Sequence, residues 1–414
     1  MVQFVLESFK PKAGQVPELQ TLRGLAAILV LFQHCAFYVV DEGNLRLILE
    51  AVLNAHAAVV IFFVLSGYVL TRSLCARELS IKCLLAFYVR RAFRIYPALW
   101  GASVLALLVV SMFLDVDFGP FATAFARASY NKDYFHVASA VLSFAGLSVF
   151  LVPPIWTIRI ELLGSLIIPV VASTRGKVSA FVLVLVVFSL LSFSFRSEKV
   201  IYLIDFVLGG ALAIFPLARF RFRLFLARAI AISACVFLLS VREFGDWRFQ
   251  NNYHSQIPAF LEALAATVLI AVIVENRGAF TALNGPVGHF FGDISYSLYL
   301  LHFPLMVGIA RISQSQLNAL ILDFGPLAAA AALSVVTIGL TTLLAWISYN
   351  LLERPGIELG AIVTRWLGLS EGRSRATGIP HPAFSSSTLP ELRSRTRAAL
   401  RTSPDNKVSS VDNL

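Results

Sequence analysis

The first apolar segment of the sequence, Thr21-Leu22-Arg23-Gly24-Leu25-Ala26-Ala27-Ile28-Leu29-Val30-Leu31-Phe32-Gln33-His34-Cys35, carries two ionisable side chains where a plain membrane anchor carries none. Arg23 and His34 are eleven residues apart. At about 100° per residue that is three turns plus roughly 20°, so both project from one helix face, ~16 Å apart along the axis. Ionisable groups inside a bilayer are costly unless they face protein or water, so a functional role is the default expectation. An imidazole exchanges protons near neutral pH and suits general-base work, whereas a guanidinium suits a phosphate or a developing negative charge.

A second group stands at Phe87-Tyr88-Val89-Arg90-Arg91-Ala92-Phe93-Arg94-Ile95-Tyr96-Pro97, with three arginines within five residues. Guanidinium grips phosphate bidentately, so this cluster suits a di- or triphosphate-bearing ligand. Arg90 and Arg94, at i and i+4, share a helix face, which favours a directed role over plain cytoplasmic-loop charge. Other ionisable groups in apolar runs are Arg159, Glu161, Asp205 and His302. Counted from the expected span ends, Glu161 and Asp205 lie ~7 Å below the outer surface and His34 ~9 Å below it, with His302 ~18 Å from the inner one. Four such groups thus fall in one layer of the outer half. The chemistry expected there is His34 as general base, with a carboxylate, Glu161 first, orienting the ring. Arg159 has the plainer reading of an ion pair with Glu161. His302 divides between substrate contact and helix-to-helix hydrogen bonding, and Asp205, Ser66, Tyr296 and Tyr299 read as interhelical polar contacts. No metal-ligand spacing is present. Cys35, Cys75, Cys83 and Cys235 read as structural.

The scaffold follows from composition. The chain has 414 residues, 58% hydrophobic and 14% charged, with mean hydropathy +0.78, against roughly a quarter charged in soluble domains. The apolar runs are continuous over about 20 residues, which excludes the alternation of a β-barrel. The expected fold class is all-α: a polytopic membrane helix bundle of about ten transmembrane helices, with N- and C-termini cytoplasmic. Spans are expected near 22–40, 57–74, 95–113, 156–172, 178–194, 200–217, 226–241, 257–274, 290–311 and 325–350. A further run, Val137 to Pro154, is kept as a surface or re-entrant helix ended by Pro153 and Pro154. With ten spans the inner connections hold thirteen Lys and Arg against eight outside, and an eleventh crossing would put the arginines at 219–228 outside. The first segment lacks a small-residue cleavage site and reads as a retained anchor. The net charge of +10 reflects these loops and the tail; it does not point to nucleic acid. Residues 1–20 form a cytoplasmic arm, 21–356 the membrane domain and 357–414 a Ser-, Arg- and Pro-rich cytoplasmic tail, mostly disordered.

The ordered set of motifs resembles the acyltransferase 3 family of integral-membrane O-acyltransferases. It comprises Arg23 with ten residues before His34, Phe62-Phe63-Val64-Leu65-Ser66-Gly67-Tyr68, the arginine run ending in Pro97, Trp156 with Glu161, Phe206 to Gly210, and Gly292 to Pro304. The resemblance covers about residues 18–355. It departs after Trp156, where TIRIELL stands in place of a common pattern with two adjacent acids, so only Glu161 carries over. Some members hold a fused outer hydrolase-like domain, and no segment here is long enough to be one. The resemblance implies transfer of an acyl group, acetyl first, from cytoplasmic acyl-CoA as co-substrate, with no bound cofactor. The acceptor implied is a carbohydrate hydroxyl, and the setting a multi-pass protein of the bacterial inner membrane. It makes His34 and Glu161 catalytic, Arg23, Arg90, Arg91 and Arg94 donor-binding, and Trp156, Arg159, Asp205, Tyr299 and His302 acceptor or support positions. Acceptors within the family include exopolysaccharide, O-antigen, periplasmic glucan and nodulation lipo-oligosaccharides, and the WTIRIEL wording is similar to that of nodulation-signal acetyltransferases. The competing reading is a transporter or flippase of a glycan or lipid-linked sugar, for which buried mid-membrane charges are also typical.

Overall fold

A computed structural model describes residues 16–41, 43–113, 120–130, 136–194, 200–215, 221–243 and 255–369. Among the described residues all regular structure is helical, and none is strand. The helices are α1 (Pro17–Val39), α2 (Asn44–Val52), α3 (Ala55–Cys75), α4 (Ile81–Phe113), α5 (Ala124–Ala128), α6 (Val137–Phe144), α7 (Ile155–Ser173), α8 (Val178–Ser194) and α9 (Leu203–Ile214). Then follow α10 (Leu224–Ser240), α11 (Gln256–Glu275), α12 (Pro286–Ile312), α13 (Gln314–Phe324), α14 (Pro326–Ser348) and α15 (Arg354–Trp366). Among the described residues seven stretches are long and apolar enough to cross a membrane: Pro17–Val39, Asn44–Cys75, Ile81–Phe113, Ile155–Ser173, Gln256–Glu275, Pro286–Ile312 and Pro326–Trp366. Shorter apolar helices stand at Val178–Ser194, Val200–Ile214 and Leu224–Ser240. The chain is a multi-pass membrane protein. Both the N-terminal arm up to residue 15 and the tail from residue 370 lie outside the described residues.

Three expectations change. The run expected from 95 starts at Ile81, giving a helix of 33 residues, ~50 Å long against a ~30 Å hydrocarbon core. Arg90 to Arg94 are therefore built into a rigid helix and do not sit at its entrance. The run at 137–154 is helical only to Phe144, where Gly146 at φ +73° ends it well before the prolines. Its remainder is packed irregular chain, with Leu151 and Val152 fully buried. Finally, the last span, expected to end near 350, is not ended by Pro355. A π turn at Tyr349–Glu353 leads into α15, which continues to Trp366. The widened turn eases the clash that Pro355 would make with the preceding α-helical turn, so the expected boundary at 357 falls inside a helix.

Two pairs of helices hold the bundle together. Gly24 of α1 lies against Phe291 and Gly292 of α12, and a Cβ at Gly24 would stand 2.8 Å from that of Phe291. Gly288 and Gly292, four apart, lie on Thr21 and the Gln20 carbonyl, a small-xxx-small contact that lets two backbones approach closely. Because Gln20 meets Gly292 while His34 meets His302 further on, α1 and α12 run in the same direction. Likewise α3 and α9 run together, with His56 meeting Tyr202 and Thr71 meeting Gly210.

Candidate active site

From the glycine contact to the histidines is ten residues on both parallel helices, so the two imidazoles arrive at one level. His34 Nδ1 and His302 Nε2 are 2.8 Å apart, and His302 Nδ1 lies 2.6 Å from the Tyr299 carbonyl oxygen. A carbonyl only accepts, so His302 Nδ1 carries a hydrogen and donates it. With both rings neutral, His302 Nε2 then accepts from His34 Nδ1–H, and His34 Nε2 keeps its lone pair. So held, His34 presents Nε2 as a proton acceptor. His302 is 0% exposed, whereas His34 keeps an accessible part; only His34 can meet a substrate. Phe125 stacks on the His34 ring at 5.6 Å and Phe303 meets it edge-on at 5.7 Å, fixing its plane.

Toward the start of α1 lies a second station. Arg91 donates through Nη2 to Glu161 Oε1 at 2.8 Å and through Nε to Ser165 Oγ. Arg94 lies 3.7 Å from Glu353, itself 1% exposed and accepting from Ser297 Oγ at 3.2 Å. Arg90 turns to Thr364 of α15 at 3.3 Å, and Arg23 donates to Gln20 at 3.4 Å. A cleft of ≈ 600 Å³, open solvent at its mouth included, is lined by Arg23, Arg94, Glu161, Ser66, Tyr296 and Tyr299 among others. That is within the range of ligand sites, about 300–1,000 Å³. The Tyr299 ring packs 5.6 Å from that of His302 and 5.9 Å from that of Phe62, another lining residue. The cleft thus leads from the guanidinium groups to within one ring of the imidazole pair.

The structure therefore groups the expected residues differently from the sequence. His34 is oriented by an imidazole and not by a carboxylate, and Glu161 belongs with the arginines. The depth count put Glu161 too shallow because α7 starts from buried chain, Ile155 being 0% exposed, and not from the bundle surface. Arg159 is exposed and does not pair with Glu161; Arg91 does. Trp156 packs on Tyr202 at 5.5 Å and on Phe63 at 6.4 Å. Asp205 is 1% exposed, and its Oδ2 finds no hydrogen-bond partner.

Sequence reasoning missed Glu353, whose entry into the bundle depends on the π turn. It also missed a buried network in which His56 Nδ1 lies 2.5 Å from Glu262 Oε2 and His56 Nε2 meets the Tyr202 hydroxyl. Arg242 donates to both Glu262 oxygens at 2.8 and 2.9 Å, and Asn54 donates to Oε1 at 2.9 Å. The signal was available, since Glu262 is an isolated acid seven residues into an apolar run and His56 opens another. Among the described residues no three His, Cys, Asp or Glu side chains gather as metal ligands do.

Bundle and site together define a multi-pass membrane protein that sets a tautomer-locked imidazole near a cleft headed by guanidinium groups. A family model, acyltransferase 3, described as an acyltransferase domain, matches residues 16–346, and the chain belongs to that family. It is similar to O-acetyltransferase OatA of Staphylococcus aureus strain NCTC 8325, 23% identical over 87% of this chain and 60% of the relative. It is also similar to an O-acetyl transferase of Shigella phage Sf6, 25% identical over 81% of this chain and 94% of the relative. The chain spans about 60% of the length of the OatA relatives it matches. No solved structure matches it.

Proposed function

We propose that this protein is an acetyl-CoA-dependent O-acetyltransferase of the bacterial cytoplasmic membrane, esterifying a hydroxyl of an exported or cell-surface carbohydrate. The observation that carries the reading is the His34–His302 pair at 2.8 Å with one accessible imidazole. His34 Nε2 takes the proton of the acceptor hydroxyl as its oxygen attacks the thioester carbonyl. A C–O ester bond forms, the C–S bond breaks, and the leaving thiolate recovers the proton from His34. Arg23 and Arg94 hold the anionic head of the donor. The ~16 Å from Arg23 to His34 suits a donor whose phosphates and thioester sit at opposite ends of a long arm. Arg91, already bonded to Glu161 and Ser165, shapes the station instead of gripping the ligand, and Arg90 fastens α15. The names of the relatives support acetyl as the group moved.

The same reading places ten crossings in the membrane with both termini cytoplasmic. Parallel α1 and α12 need an odd number of crossings between them; the intervening α3, α4 and α7 to α11 make seven when all three shorter helices cross and four when none does.

The test is incorporation of labelled acetyl into surface glycan by cells expressing wild type or His34→Ala at equal membrane abundance. Label that depends on His34 supports the reading. Equal labelling by both proteins overturns it, and glycan that is exported but unlabelled in wild type favours transport.

A further inference from the structure

Beyond His34, on the same helix and one turn further on, Tyr38 shares the face of α1 that carries the base. It opens onto a cavity separate from the arginine-headed cleft, with ≈ 390 Å³ of space including its solvent mouth. This is near the low end of ligand-site volume, about 300–1,000 Å³, and suits a sugar residue more than an extended donor. Tyr38 and Arg311, the latter 7% exposed, both line it. One wall is α13, whose Gln314, Leu317 and Asn318 line the cavity at i, i+3 and i+4, and Phe121 closes another side.

The side chains are those that bind carbohydrate. Two primary amides and a guanidinium offer donors and acceptors to ring hydroxyls, and the aromatic rings offer flat apolar faces to C–H surfaces. Among the described residues no Asp or Glu lines the cavity. Helix α13 is only 11 residues long and follows α12 after a single residue, Ser313, so the helix that supplies the imidazole partner also fixes this wall. A hydroxyl seated here would approach the His34 end of α1, whereas the donor arrives through the cleft headed by Arg23.

We propose that this cavity is the acceptor subsite, where a neutral or acidic sugar residue is held by Gln314, Asn318 and Arg311 with its hydroxyl toward His34. The assignment rests on the acetyl-transfer reading above. Gln314 and Asn318 are half-buried at the rim, so their truncation spares the core, and they set acceptor choice.

The test uses the full chain in native membranes, with labelled acetyl-CoA as donor. The acceptor probe is the host's own surface glycan, stripped of esters by mild base. The Gln314→Ala/Asn318→Ala protein is expected to show a glycan KM raised about ten-fold, with the acetyl-CoA KM within about two-fold of wild type, as loss of one or two substrate hydrogen bonds gives. Gln316→Ala, exposed on the far face of α13, moves neither. An unchanged glycan KM in the double variant overturns the subsite and leaves the acetyl-transfer reading standing. Absence of glycan ester from the wild-type protein overturns both.

Discussion

His34 and His302, 268 positions apart in the chain, share one hydrogen bond of 2.8 Å, and the Tyr299 carbonyl at the far end of the relay decides which ring nitrogen holds each proton. A base so arranged depends on its partner accepting. His34→Ala is expected to lower ester formation by about 10²–10⁴-fold, the usual worth of a general base. His302→Gln, whose amide oxygen accepts from His34 Nδ1–H, is expected to keep more activity than His302→Leu. The measurement is the transfer rate at saturating donor across pH. Wild-type rate falls on the acid side as His34 takes up a proton, and that limb is absent from the His34→Ala residual rate.

Arg90, Arg94 and Arg159 are expected to differ in their effect on donor use. Arg94→Ala should raise the KM for acetyl-CoA by about 10–100-fold, the range for losing a charge-assisted hydrogen bond to phosphate. Arg90→Ala, which loosens only the contact to Thr364, should have a much smaller effect, and Arg159→Leu, exposed on the bundle surface, none. Donor titration of the three variants separates directed gripping from loop charge. Equal effects at all three positions would count against it.

The approach of α1 to α12 predicts a stability effect. Gly292→Ala forces a methyl group onto the Gln20 backbone, and overpacking of this kind costs about 1–3 kcal/mol. Thermal unfolding in detergent is expected at lower temperature, with transfer falling more steeply than stability because the imidazoles separate. Gly339→Ala, with nothing within 4 Å of its added Cβ, is the matched control and should be silent.

Glu262 is 0% exposed and holds His56, Arg242 and Asn54. Its removal leaves buried polar groups without their common acceptor, a loss on the order of 3–5 kcal/mol. Glu262→Ala is expected to reach the membrane poorly or to unfold early in detergent, read by abundance and fluorescence-detected size exclusion. Glu262→Gln, which keeps an acceptor oxygen, should recover part of the abundance.

What the sequence made legible was whatever lies along one helix. The apolar runs located the helices, and phase alone put Arg23 and His34 on one face, because both properties are local to the chain. Partnership across helices was not legible in the same way. Depth counting ranked His34, Glu161 and Asp205 together, yet rotation about each helix axis and the buried start of α7 send Glu161 to Arg91 and leave His34 to His302. The π turn escaped because Glu353-Arg354-Pro355 reads as a terminator by local rules, and only the fit of Gly356 and Gly360 against Phe93 of α4 shows why the helix goes on. His56 and Glu262 were readable as isolated polar residues in apolar runs, but nothing local joins them across 206 positions.

The fit of Gly24 against Gly292 also sets the order of assembly. Among the described helices Pro17–Val39 is made long before Pro286–Ile312, so during synthesis the nascent protein carries His34 without His302. The hydrogen bond that sets the His34 tautomer forms only when the late helix docks. A truncation anywhere before Pro286 therefore leaves His34 without the ring nitrogen that accepts from it.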